Sequence, residues 1–128
     1  MLDHSTASSA FSTDSVAKAA TFYLDTLGLD GEEFDAGGPM LRLHLPGGGT
    51  TLIYEKEDHT PASHTVLMFT VGDVAATVRQ LAERDVPLER LDWCDEDGIA
   101  RDPDGDMPDM AWFKDPAGNW IHVMGPMT

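Results

Sequence analysis

Two stretches of the chain share one pattern, and this internal repeat restricts the fold more than any other feature of the sequence. From Phe11 to Tyr23 the residues read as the end of a short strand that runs into a helix; from Phe69 to Leu81 they read the same way. Asp14 or Ser15 is placed to cap the first helix and Asp73 the second, because a short oxygen-bearing side chain there accepts bonds from the unpaired amides of the first turn. Val16, Ala19, Ala20, Tyr23 and Leu27 recur at helical spacing, as do Val74, Thr77, Val78 and Leu81. Gly28 is expected to end the first helix in a left-handed conformation, and Asp85-Val86-Pro87 to end the second.

Each helix is followed by a hairpin. Leu41 to Leu45 alternates strictly, Pro46 to Gly49 turns the chain, and Thr51 to Glu55 returns. In the second half Met110 to Lys114 goes out, Asp115 to Asn119 turns, and Trp120 to Met124 comes back. The spans Asp30 to Met40 and Leu88 to Asp109 are each expected to hold one more strand and a loop. Asp95 to Asp109, rich in Asp, Gly and Pro, reads as a mobile acidic loop. The expected architecture is therefore α+β, one domain over residues 1–128, made of two βαβββ modules at about 5–57 and 62–126.

Charge and cysteine usage exclude several functions. A formal net charge of −15 with eight Lys plus Arg repels phosphate backbones, so no nucleic-acid partner is expected. Solubility explains such a balance, and attraction of a cationic ligand is the sharper alternative. No apolar run is long enough for a membrane span, and the polar start of the chain lacks the pattern of an export signal, which points to the cytoplasm. Cys94 is the only cysteine and stands among Asp92, Asp95, Glu96 and Asp97, so neighbouring carboxylates oppose thiolate formation. No nucleophile elbow or phosphate-binding glycine loop is present, since Gly47 to Gly49 lie in a hairpin turn.

Phe22-Tyr23, followed after three residues by Leu27-Gly28-Leu29, resembles the helix end of vicinal oxygen chelate domains, the superfamily of glyoxalase I, bleomycin-resistance proteins and extradiol dioxygenases. Phe113 to Asn119 resembles their final hairpin. The stretch from His59 to Phe69 and the run from Gly98 to Arg101 resemble a bacterial branch of the same superfamily. The match covers nearly the whole chain in the right order. It implies two modules whose sheets form a U-shaped cleft, within a homodimer.

The resemblance also implies where chemistry sits. Metal-binding relatives hold one divalent ion, Zn, Ni, Mn or Fe, on His or Glu at four inward strand positions. Here these positions are Ser8, Ile53 (Leu52 if the turn differs by one residue), Val66 and His122. His122 alone is a good ligand, so no metal cofactor is expected. The same alignment, with strand alternation, assigns Arg42, His44, Ile53, Glu55, His64, Val66, Met68, Trp112, Trp120, His122 and Met124 to the cleft. His122 is the candidate catalytic or hydrogen-bonding group, because imidazole donates, accepts or takes a proton near neutral pH. The opposite parity, including Phe11, Leu41, Leu43, Leu45, Leu67, Phe69, Phe113, Ile121 and Val123, is expected to pack under the helices. A surface mixing Trp, Met, His and Arg suits a flat or aromatic small molecule. The expected function is metal-independent binding of such a ligand, as in the bleomycin-resistance group. The alternative is a metal-dependent lyase, isomerase or dioxygenase of the glyoxalase type.

Overall fold

The structure, a computed structural model, describes residues 1–126. The chain divides into two compact units, Met1–Pro61 and Ala62–Thr128.

In the first unit, strand β1 (Ser9–Thr13) leads into helix α1 (Val16–Ala20), which continues as a π-helical segment, Thr21–Thr26. Ser15 caps α1, its hydroxyl accepting from the Lys18 amide at 3.2 Å. Gly28, at φ +75°, then turns the chain into β2 (Asp30–Asp35), a backbone angle that favours glycine. Strands β3 (Pro39–His44) and β4 (Thr50–Glu55) complete a four-stranded sheet in the order β1-β4-β3-β2. Only β1 and β4 run parallel, which is what a helix crossover between them requires. Val16, Ala19, Ala20 and Tyr23 form the buried stripe of the helix, against Phe11, Leu41 and Leu43 of the sheet. Tyr23 is fully buried and meets the Phe11 ring edge-on at 6.3 Å. Gly31 sits where a Cβ would lie 2.5 Å from the Arg42 carbonyl oxygen, which is backbone and cannot swing away. Gly31→Ala should therefore part β2 from β3 and cost about 2 kcal/mol, read as a lower urea midpoint with an unchanged slope.

In the second unit, β5 (Thr65–Thr70) leads into α2 (Val74–Glu83), capped by Asp73, whose carboxylate accepts from the Ala76 amide at 3.0 Å. Strands β6 (Met110–Lys114) and β7 (Trp120–Met124) form a hairpin, giving a sheet in the order β5-β7-β6. Val74 and Leu81 of α2 are buried, as are Leu67, Ala111, Phe113, Ile121 and Val123 of the sheet.

The strand expected between α2 and β6 is not formed. Its place is held by two isolated bridges, Leu88 with Phe113 and Ala100 with Met110. The intervening carboxylates bind local amides instead of leaving them for a ladder. Asp95 Oδ1 accepts from the amides of Asp97 (2.9 Å) and Ile99 (3.0 Å), and Asp102 accepts from those of Asp104, Asp106 and Met107. These backbone bonds hold both carboxyls below the usual aspartate range, the Ile99 amide acting most strongly on Asp95 and the Asp104 amide on Asp102. The acidic segment is thus pinned at two carboxylates, and Ile99 and Ala100 are buried.

Candidate functional site

Register decides which side chains share a face. In the first sheet Arg42 lies opposite Leu52, and Leu41 opposite Ile53. Directly paired residues project to the same side. Ile53 therefore belongs with Leu41, Leu43 and Phe11 in the core, where it is fully buried. The assignment of Ile53 and Glu55 to one surface with Arg42 and His44 is corrected: they are on opposite faces. Glu55 accepts from the Val16 amide at 3.0 Å and so closes the start of α1. A carboxylate there also meets the positive end of the helix dipole. Leu52, the other reading of the turn, holds the outer position, on the same side as Ala10 and Arg42.

The open face of this sheet carries a charged cluster. Arg42 lies 4.5 Å over the Phe34 ring and donates to Glu32 at 3.2 Å. His44 Nε2 stands 2.6 Å from the other oxygen of Glu32. Its bond to His44, and then that to Arg42, hold the Glu32 carboxyl below the usual range. Glu32 and Phe34 were missed from sequence because β2 has no clean alternation.

In the second unit the open face is aromatic and sulfur-rich. Met68 pairs with His122, Thr70 with Met124, and Trp112 with His122 from the other side. The Trp112 and His122 rings lie 4.8 Å apart at 43°. His122 Nε2 is buried and has no hydrogen-bond partner among the described residues. Burial lowers the His122 pKa from its ordinary value, so the folded ring favours the neutral form. Val66 falls at an irregularity in the β5–β7 register, between Thr65 and Leu67, and has no paired residue on β7.

His64 precedes β5 and borders a cavity of about 270 Å³. Trp93, Trp112, Trp120 and Leu91 form its walls, with Ser63 and Thr65 beside His64. Trp93 meets Trp112 edge-on at 6.1 Å, and Lys114 Nζ lies 4.6 Å over the Trp120 ring. Trp93 and Leu91 went unassigned from sequence. The available signal was a large aromatic side chain stranded in an acidic loop.

The lowered pKa of His122 couples its protonation to folding. An unfolded histidine takes a proton at about pH 6.5, whereas the buried ring resists it. Below that pH the unfolded state binds more protons, so acidification favours unfolding. The contribution of His122 to stability is expected to be level above about pH 7 and to fall as pH drops through about 6.5. His122→Asn should remove this part of the slope in urea titrations between pH 7.5 and 5.5. A variant with an unchanged slope would contradict the assignment.

The donor chemistry does not fit the metal site that the resemblance implies. Of the four positions that the resemblance implies, Ser8, Leu52 and Val66 carry a neutral hydroxyl and two alkyl groups, and only His122 carries an imidazole. Among the described residues, no three His, Cys, Asp or Glu side chains cluster to hold an ion.

Residues 2–123 match the family profile described as Glyoxalase/Bleomycin resistance protein/Dioxygenase superfamily. The chain belongs to this superfamily. It is similar to TnmS3, an antibiotic binding protein from Streptomyces sp. CB03234, at 26% identity and TM-score 0.71, over 96% of this chain and 98% of that one. The fosfomycin resistance protein FosX from Listeria monocytogenes shares the fold at 10% identity and TM-score 0.72, over 96% and 93%. Lactoylglutathione lyase from Agrobacterium tumefaciens does so at 19% and 0.68, over 95% and 93%. No curated protein matches the chain. No helix among the described residues is long and apolar enough to cross a membrane.

Proposed function

We propose that this chain is a metal-independent small-molecule-binding protein that sequesters its ligand, working as a cytoplasmic homodimer. The observation that carries this reading is the composition of the family's metal positions. Ser8, Leu52 and Val66 carry no metal-binding donor of any strength, and the His122 ring lies tilted against Trp112, 4.8 Å away. A single imidazole does not hold a transition metal tightly. The apolar, tryptophan-lined cavity is what a binding protein needs: aromatic walls for affinity and a few polar groups for orientation. Similarity to an antibiotic binding protein agrees with this class.

The test is metal content. Purified protein is incubated with Zn, Ni, Mn and Fe(II), desalted and analysed by elemental mass spectrometry. Retention well below one ion per chain is the expected result. Near-stoichiometric metal that is lost in His122→Ala would overturn it. The chain would then be a metal-dependent lyase, isomerase or dioxygenase of the glyoxalase type.

A further inference from the structure

All three tryptophans of the chain meet at one cavity of the second unit, and its charge environment narrows what it accepts. We propose that the ligand is a flat aromatic molecule of two or three rings with no positive charge, held by Trp93, Trp112 and Trp120 with its polar edge toward Ser63 and His64. This rests on the small-molecule-binding reading above and specifies its ligand class.

Trp93 forms part of the cavity wall. The residue is 64% exposed, yet it sits edge-on against Trp112. Its loop is not loose: Asp95 binds the Asp97 and Ile99 amides and the Arg101 guanidinium, and Ile99 is buried. A pinned loop therefore holds an indole in water beside two other indoles. Covering apolar surface recovers about 25 cal/mol per Å², and rings stacked or set edge-on gain a further increment.

A cavity of about 270 Å³ lies just under the ~300–1,000 Å³ of pockets for drug-sized ligands. It suits a small fused-ring system.

The walls of the cavity do not share the negative charge of the protein as a whole. The overall −15 would draw cations from a distance, but salt screens that field within about 8 Å. The Lys114 ammonium already lies over the Trp120 ring, and its own acid, Glu89, is 3.8 Å away. None of the described residues lining the cavity is a carboxylate. A cationic ligand would lose water against walls that offer no carboxylate, beside a Trp120 ring over which an ammonium already lies. A neutral or anionic ring system meets no such penalty.

The test uses three probes on one tricyclic frame: fluorenone-2-carboxamide, fluorenone-2-carboxylate and 2-(aminomethyl)fluorenone. Because every tryptophan lines this cavity, quenching of intrinsic fluorescence reports on it directly; isothermal titration gives the affinities. The amide and carboxylate are expected to bind at least about tenfold more tightly than the ammonium probe. Trp93→Ala should weaken amide binding about tenfold, a change suited to this exposed residue because it does not threaten the core. Lys114→Ala should narrow the gap between amide and ammonium probes. Each titration is repeated after chelation and after zinc addition. Metal-independent binding that favours the ammonium probe, or that ignores Trp93→Ala, overturns this inference and leaves the binding-protein reading standing. So does failure of all three probes to bind. Amide binding that needs added metal overturns the metal-independent reading itself.

Discussion

Ile53→Ala is expected to destabilise the protein by about 3 kcal/mol, whereas Leu52→Ala, one residue away, should cost under about 1 kcal/mol. The difference follows from register alone. Ile53 is fully buried and lies between Phe11 on β1 and Leu41 on β3. Truncation there removes buried methyl groups and leaves a cavity that two paired strands cannot collapse into. Leu52 is only partly covered, and on its face Ala10 and Arg42 are its paired neighbours. Urea unfolding of both variants checks this. For a chain of this size 3 kcal/mol corresponds to a melting temperature lower by roughly 10 °C. Equal losses at both positions would mean that the face assignment is wrong, and with it the placement of Arg42 and His44 on the open side.

Asp115→Ala should be almost as damaging, at about 3 kcal/mol, although it removes no hydrophobic group. Asp115 is 5% exposed and organises the turn between β6 and β7. Its Oδ1 accepts from the amides of Ala117 (3.0 Å) and Asn119 (2.9 Å), and its Oδ2 from Asn119 Nδ2 at 3.1 Å. Asn119 is itself buried. Removing the carboxylate strands these donors away from water, and an unmet buried donor costs more than the bond it loses. The hairpin carries Trp112, Trp120 and His122, so the variant should also disturb intrinsic fluorescence. Asp115→Asn keeps an acceptor oxygen and should recover about half of the loss. Recovery to the native midpoint would show that the charge contributes nothing to the turn.

Much of this was legible in the chain because the relevant physics is local. Ser15 and Asp73 cap their helices as short oxygen-bearing side chains do, and Gly28 takes the left-handed angle that other residues resist. Strands β6 and β7 occupy the spans their alternation predicts. The helix-facing apolar parity also follows from a period of two: Leu41, Leu43, Phe113, Ile121 and Val123 are all buried.

Other features depend on interactions between distant residues. The strand expected after α2 was lost because Asp95 and Asp102 satisfy amides within their own turns, a competition that composition alone does not resolve. The face of β4 was misread because a hairpin loop from Leu45 to Gly49 permits more than one register, and a slip of one residue exchanges Ile53 for Leu52. Trp93 gave no periodic signal, since it lies in no regular element.

Helix ends, turns and strand periodicity were thus determined by the sequence itself, because each depends on residues within a few positions of one another. Only the tertiary structure decided that Glu55 closes α1, that Arg42 and His44 share Glu32, and that Trp93, Trp112 and Trp120 share one cavity. Those outcomes depend on strand register and loop closure, where one residue of shift moves a side chain to the other face of a sheet.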